Sequence, residues 1–201
     1  MGGVLSLLWH EQVGPLFAAT MNAYSLIEAP NMQSCYDPDL MPGSPRVELI
    51  REGVKYSNLD DRDARVTYTS DNREHRFNVS AHLVNIYQEA SGNEHTSVEI
   101  GYTFTPDKMI CRARIPEELR KAGARMVLPV IASTQEKELL AAHRMVIEKK
   151  GGKVYIESPN EWYIASSAGN RIFNPVPGFC FIPLVIDPGR DGEIHVEMYI
   201  R

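Results

Sequence analysis

Alternation of apolar and polar residues with a period of two is the dominant pattern along this chain. It is clearest in 193–200, where Ile194, Val196, Met198 and Ile200 share one face, and it recurs in 65–69, 98–104 and 153–157. Such alternation is typical of strands that bury one face. Turn sequences separate the runs at short intervals, as in many-stranded sandwiches. The pattern predicts an all-β fold: a large two-sheet antiparallel β-sandwich, supersandwich-like, with about a dozen strands.

Two segments allow a more local prediction. The sequence Thr105-Pro106-Asp107-Lys108 is a turn between two alternating runs, so 98–115 is predicted to form a β-hairpin. The run 179–186 is apolar throughout but contains Pro183. Because proline cannot donate a ladder hydrogen bond, this run is expected to be an edge strand or to carry a bulge.

Helical pattern is scarce, and the fold is expected to include one or two short helices. The first candidate is 116–123, which starts with proline and ends with glycine. The second is 134–143, where Thr134 is a candidate N-cap. The segment 29–45 is rich in proline and is predicted to be a long loop or a meandering crossover.

Composition sets the class of protein. At 201 residues with 43% hydrophobic residues, the chain is expected to form one domain, 1–201, with a substantial core. The chain opens and closes on strand-like runs, as a domain excised from a longer chain would. The net charge of -5 argues against nonspecific nucleic-acid binding. No apolar run reaches the roughly 18 residues of a membrane span, so no membrane insertion is expected.

Cofactor and metal chemistry have little support in the sequence. The three cysteines, Cys35, Cys111 and Cys180, form no CxxC motif, and three buried thiols are favoured over one disulfide with a free thiol. The motifs GxSxG, GxGxxG, HExxH and the P-loop do not occur. We therefore predict no cofactor and no metal site. The charged stretch 46–76 is interpreted as solvated strand edges.

Two clusters combine an aromatic residue with an acid, and both are candidate sugar-binding sites. Trp9, His10 and Glu11 follow the first strand-like run, and Glu161 and Trp162 follow a Ser-Pro turn. An indole can stack on the apolar face of a sugar ring while the acid accepts hydroxyl hydrogen bonds. The alternative is that both tryptophans are core residues with polar neighbours. No catalytic residue is identified.

The segments 7–20, 28–31 and 98–108 resemble the C-terminal β-sandwich of heparinase II/III-type polysaccharide lyases, and 98–108 also resembles mutarotase-like domains. In that family, catalysis depends largely on an N-terminal α/α-toroid that supplies the acid/base tyrosine and histidine. The resemblance implies a periplasmic or extracellular accessory domain that binds polysaccharide or oligosaccharide, associates with an N-terminal helical domain and lacks full lyase activity alone. None of the family's catalytic or metal motifs matches a position in this chain.

Three functions therefore remain open. The first is a carbohydrate-associated sandwich that is the accessory part of a lyase acting on uronic-acid-containing glycans. The second is a stand-alone enzyme of lyase or mutarotase-like type that uses His10 or His82 with a carboxylate. The third is a structural or assembly module without catalysis, which would expose a large apolar patch.

Overall fold

The computed structural model describes residues 2–20, 23–28, 31–36, 41–92, 96–166, 169–175 and 178–201, and within 23–28 and 31–36 it describes the backbone alone. The described strands are numbered in chain order. They are β1 (Leu7–His10), β2 (Gly14–Ala18), β3 (Ala23–Glu28), β4 (Asn31–Tyr36), β5 (Arg46–Arg51), β6 (Val54–Ser57), β7 (Arg65–Ser70), β8 (His75–Ala81), β9 (Val98–Phe104), β10 (Lys108–Arg114), β11 (Arg125–Ile131), β12 (Lys137–Ala141), β13 (Arg144–Lys149), β14 (Gly152–Glu157), β15 (Trp162–Ile164), β16 (Ile172–Asn174), β17 (Phe179–Ile186) and β18 (Glu193–Ile200).

These strands form two antiparallel sheets and two separate hairpins. The larger sheet has eight strands in the order β12-β13-β14-β18-β10-β9-β8-β7. The smaller has the order β15-β17-β11-β5-β6, with β16 also paired to β17. Strands β1 and β2 form one separate hairpin, and β3 and β4 form the other. The predicted all-β antiparallel sandwich is therefore confirmed.

The core lies between the two sheets and follows the predicted alternation. In β18, Ile194, Val196 and Met198 are buried, and the larger sheet adds residues such as Ile100 and Val154. Across the core, the smaller sheet contributes Leu49, Met126, Leu128, Ile182 and Leu184. Burial of one face on each sheet is the main stabilising contribution of such a sandwich.

One of the two candidate helices is confirmed and the other is wrong. A short α-helix, α1 (Glu117–Lys121), lies inside the predicted 116–123, and a 3₁₀ turn covers Asn58–Asp60. The candidate helix 134–143 is instead strand β12, with Leu139 opposite Val146 and Leu140 opposite Met145. Cross-strand pairing in a hairpin overrides the weak helical signal there. None of the described helices is long and apolar enough to cross a membrane.

Other local predictions also change. The segment 29–45 contains strand β4, which pairs with β3, although 29–30 and 37–40 lie outside the described residues. Strand β17 is interior, so the prediction of an edge is wrong. Pro183 is tolerated because it faces the break between β15 and β16, where its carbonyl accepts the Ala165 N–H at 3.0 Å.

The cysteines that can be described are not disulfide-bonded. Cys111 is buried in the core and Cys180 is half-buried, and both are free thiols. Burial raises the pKa of the Cys111 thiol, so it stays protonated at neutral pH. The side chain of Cys35 lies outside the described residues.

The prediction that 46–76 forms solvated strand edges is wrong at its start and at Asp61, which is buried. Arg46 and Glu48 in β5 are both buried. Two Arg46 nitrogens donate to Glu48 Oε2, Nε at 2.9 Å and Nη2 at 2.7 Å. Arg46 Nη1 also donates to the carbonyls of Pro42 and Ser44. A buried charge is retained only when its hydrogen bonds are satisfied, and this pair meets that condition.

Candidate functional site

The N-terminal segment runs across one end of the larger sheet and carries the first predicted cluster. Its hairpin β1–β2 contacts β11, and its turn at 11–13 lies against the turn between β13 and β14. A Cβ atom on Gly151 would lie 1.9 Å from the carbonyl oxygen of Gln12. Only glycine allows this approach, so the backbone contact fixes the hairpin against the sheet.

A β-bulge in this hairpin determines which side chains face solvent. The register shifts between Leu8 and Trp9, so Leu16 is the extra residue of β2. As a result, the successive residues Leu16 and Phe17 are both buried, while Trp9 on the opposite strand is 59% exposed. Bulges commonly re-aim side chains in this way near functional sites.

A cleft of about 540 Å³ lies between this hairpin, the β9–β10 turn and the end of β18. Its polar lining includes His10, Lys108, Tyr199 and Arg201, and Trp9 forms part of its wall. Its apolar lining includes Leu16, Phe104, Met109 and Met198. We call this the Trp9 cleft. A pocket with an apolar base and a few converging polar groups is the usual form of a small-molecule or sugar site.

The β9–β10 turn that forms one wall lies where the sequence predicted a hairpin turn, and it is internally braced. The hydroxyl oxygen of Thr105 accepts the backbone N–H groups of Asp107 at 3.3 Å and Lys108 at 3.1 Å. The Thr105 N–H donates to the Lys108 carbonyl at 2.9 Å. The turn therefore holds Lys108 next to Tyr199, its partner across the β10–β18 ladder.

Arg201 is the cation in the cleft that lacks a carboxylate partner among the described residues. Its guanidinium lies 5.1 Å from the ring centroid of Tyr199 and 5.7 Å from that of Tyr155. The two rings stack with their centroids 5.0 Å apart. Backbone hydrogen bonds between Arg201 and Lys153 hold the residue in line with the sheet. Cation–π contact orients the guanidinium without neutralising its charge.

The two carboxylates next to these residues, Glu197 and Glu157, already have hydrogen-bond partners within the domain. Lys108 Nζ donates to Glu197 Oε2 at 2.8 Å, and this hydrogen bond lowers the pKa of Glu197. The Tyr199 hydroxyl donates to Glu157 Oε1 at 2.8 Å and lowers the pKa of Glu157. Desolvation and that same bond raise the pKa of Tyr199. Both carboxylates are therefore ionised at neutral pH and compensate charges on the sheet face.

His10 lines the cleft with one ring nitrogen occupied. Its Nδ1 accepts the backbone N–H of Gln12 at 3.3 Å, so in the neutral ring the proton is on Nε2. That tautomer makes Nε2 a hydrogen-bond donor. No described carboxylate orients the ring, an arrangement that suits ligand binding better than general-base catalysis.

The predicted site residues do not all come together. Trp9 and His10 line the cleft, and Glu11 is exposed in the adjacent turn without lining it. Glu161 and Trp162 belong to the smaller sheet. There Trp162 is half-buried against the core, opposite Ile186, and Glu161 is exposed. The structure thus gives the two tryptophans different environments.

His82, the other histidine considered as a candidate base, is held by contacts with Asp61. Its backbone N–H donates to Asp61 Oδ2 at 2.7 Å, and its Nδ1 lies 3.5 Å from the same oxygen. Asp61 also accepts the N–H of Asp63 at 2.8 Å. Across the part of the chain that is described, no three His, Cys, Asp or Glu side chains are grouped to hold a metal ion.

Sequence reasoning missed three residues of the cleft: Lys108, Tyr199 and Arg201. The alternation in β18 does place Tyr199 on the outward face of the sheet, which is a usable signal. No sequence pattern shows that the end of β18 lies beside the β9–β10 turn and the N-terminal hairpin. That proximity follows from strand order, which brings together residues about 90 positions apart.

The family model of the ulvan lyase C-terminal domain matches residues 1–201. The chain belongs to the ulvan lyase C-terminal domain family. A broad-specificity ulvan lyase from Formosa agariphila is 27% identical over 201 residues. The alignment covers 100% of this chain but 30% of that enzyme, so the chain spans less than a third of the relative's length. No solved structure matches this chain.

Membership of the ulvan lyase C-terminal domain family confirms the predicted class, a C-terminal domain of a polysaccharide lyase. The match does not extend to the heparinase II/III family named by the resemblance. It also favours the first of the three functions considered, the accessory part of a polysaccharide lyase. The family name by itself assigns no role to any residue of the cleft.

Proposed function

We propose that this chain is an accessory domain of a polysaccharide lyase and binds uronic-acid-containing polysaccharide in the Trp9 cleft. The observation that carries the proposal is that one cleft is lined by an exposed tryptophan, Trp9, and by an arginine, Arg201, that has no carboxylate partner among the described residues. The indole offers a face for a sugar ring, and the guanidinium offers paired N–H donors for a carboxylate.

The charge distribution supports an acidic ligand. The chain carries a net charge of -5 and Lys108 is paired with Glu197, but Arg201 lines the cleft without a carboxylate partner among the described residues. Local positive charge raises the concentration of an anionic polymer at the site even when the whole domain is acidic. Because the cleft is open to solvent, binding is expected to weaken as salt increases.

The parent enzyme is also part of the proposal. The relative's name and the family name support a lyase acting on ulvan as the parent enzyme. Its catalytic groups are proposed to lie in the rest of the longer chain. An N-terminal helical region, as in heparinase II/III-type enzymes, and a periplasmic or extracellular location complete the proposal. The domain alone is then expected to lack full lyase activity.

Trp9→Ala is expected to weaken the binding of uronic-acid oligosaccharides about 30-fold, equivalent to about 2 kcal/mol, because an aromatic anchor is lost. Isothermal titration calorimetry measures the change. Phe173→Ala is the matched control, since Phe173 is 56% exposed and lies on β16, away from the residues that line the cleft. Equal affinities for the two variants would remove the support for this site.

Arg201→Ala is expected to reduce affinity for uronate oligosaccharides at least tenfold, since a hydrogen bond to a charged group contributes about 1.5–3 kcal/mol. The same substitution should leave binding of carboxyl-reduced oligosaccharides unchanged. Arg201→Lys should recover only part of the loss, because lysine keeps the charge but not the fork of donors. If the carboxyl-reduced ligand also loses affinity in Arg201→Ala, the residue does not recognise the carboxylate.

A further inference from the structure

One side of the sandwich has an apolar sheet face without a covering layer among the described residues. Strand β7 is the edge of the larger sheet, and Val66 and Tyr68 lie opposite Val79 and Phe77. Val79 is a core residue, so Val66 and Tyr68 point to the inner side of the sheet. They are nevertheless 52% and 53% exposed, so no described residue covers them fully.

Further exposed apolar side chains lie on the same side. Val54 is in β6, the edge strand of the smaller sheet. Ile86 and Tyr87 are at the tip of a loop, and Tyr87 is 77% exposed. We call this surface, made by Val54, Val66, Tyr68, Ile86 and Tyr87, the β6–β7 edge.

Hydrogen bonds place the loop beside both strands. The backbone of Val84 pairs with that of Ser57, the last residue of β6. The side chain of Gln88 donates to the Asp60 carbonyl at 2.8 Å and accepts the Arg62 N–H at 3.2 Å, just before β7 begins. The loop is therefore anchored, and its apolar tip is held outward at a defined position.

The beginning of the described chain lies at the same edge. The Gly2 N–H donates to the Leu59 carbonyl at 3.2 Å, and the Gly2 carbonyl accepts from the buried side chain of Asn58 at 2.9 Å. A Cβ atom on Gly2 would lie 1.4 Å from the Asn58 carbonyl oxygen, so only glycine fits. A Cβ on the next residue, Gly3, would lie 2.4 Å from Val79 and 3.1 Å from Val66. Polypeptide that precedes residue 2 must therefore emerge beside β7.

We propose that the β6–β7 edge is the docking surface for the domain that precedes this one in the lyase chain. This rests on the proposed function, in which the chain is the C-terminal part of a longer enzyme. The chain covers 30% of its relative, and the family is defined as a C-terminal domain, so the remaining length enters at this edge. A preceding domain is held at high effective concentration beside the apolar surface by its own chain.

The opposite side of the sandwich is the natural comparison. It also exposes apolar side chains: Leu139 and Leu140 on β12, Tyr163 on β15 and Phe173 on β16. None of them lies where the chain enters. Charged residues border the β6–β7 edge, including Arg51, Arg62 and Arg65, as expected for an interface with an apolar centre and a polar rim.

Hydroxyl-radical footprinting of the full-length lyase polypeptide tests the docking. Tyr68 and Tyr87 should be modified at least fivefold more slowly than their exposure in the isolated domain predicts. Phe173, with 56% exposure, is the internal control and should be modified at the rate its exposure predicts. Modification of Tyr68 and Tyr87 at the full expected rate would overturn the proposal.

Dilution and ligand binding separate the alternatives. Protection of Tyr68 that disappears on dilution would show that a second copy covers the edge, which also contradicts the proposal. In the full-length protein, Tyr68→Glu should split thermal unfolding into two transitions, whereas Phe173→Glu should not. The docking proposal and the glycan-binding proposal can fail independently, because glycan binding is measured separately with the Trp9 variant. Failure of glycan binding would leave the protection of Tyr68 and Tyr87 unchanged. Full reactivity of Tyr68 would leave glycan binding unchanged.

Discussion

Replacing Arg46 with methionine is expected to lower the free energy of unfolding by about 3–5 kcal/mol, the usual cost of breaking a buried ion pair. The Arg46 side chain is 1% exposed and bonds to Glu48 and to two backbone carbonyls. Burial lowers the pKa of Arg46, and the Glu48 carboxylate opposes that shift. Without the guanidinium, Glu48 would remain buried with Arg125 as its nearest described cation, at 3.7 Å.

Urea unfolding at neutral pH measures this effect, and the chain offers a matched control. Arg76 makes a comparable pair with Glu74, but the Arg76 side chain is 56% exposed. Arg76→Met should therefore leave the urea unfolding midpoint nearly unchanged, because solvent screens an exposed ion pair. The double variant Arg46→Met/Glu48→Met should recover much of the stability lost by Arg46→Met. Equal losses in the two single variants would show that Arg46 is solvated.

Phe17→Ala is expected to lower the free energy of unfolding by about 3–5 kcal/mol, because it removes a fully buried aromatic ring and leaves a cavity. Phe17 lies opposite Leu8 in the hairpin that carries Trp9, and it belongs to the main core. The substitution should also weaken glycan binding, since a loosened hairpin no longer holds Trp9 in the cleft.

Leu7→Ala is the control for this hairpin, because Leu7 lies in β1 but is exposed. It should change the free energy of unfolding by about 0.5 kcal/mol or less. Urea unfolding and calorimetry on both variants separate stability from binding. Tight glycan binding by a destabilised Phe17→Ala domain would mean that the hairpin does not position the site.

The fold could be predicted from the sequence where alternation is strong. Strands β9, β10, β14 and β18 each bury one face, and the alternation of apolar and polar residues in their sequences predicts that burial. Prediction failed where pairing partners override local signals. Strand β12 has a helical composition, yet it is held in a hairpin by β13. Pro183 lies in an interior strand because its neighbour is interrupted, and a single sequence does not show that interruption.

The site was only partly predictable for a related reason. The residue types at 9–11 and 161–162 suggested sugar contact equally in both clusters. Burial separates them, since Trp9 follows a bulge while Trp162 packs on the core. Arg201 and Lys108 join Trp9 through strand order, so their contribution depends on tertiary contacts. The buried pair at 46 and 48 was misread because a charged segment usually indicates solvent exposure.

The most direct test of the central claim uses the two tryptophans of the chain. A ¹H–¹⁵N correlation spectrum should show one indole N–H signal for each, and Trp9→Phe assigns them. Titration with a uronic-acid oligosaccharide should shift the Trp9 signal in a saturable manner and leave the Trp162 signal in place. If the ligand binds while only the Trp162 signal shifts, or if neither signal shifts at saturating ligand, polysaccharide binding in the Trp9 cleft is contradicted.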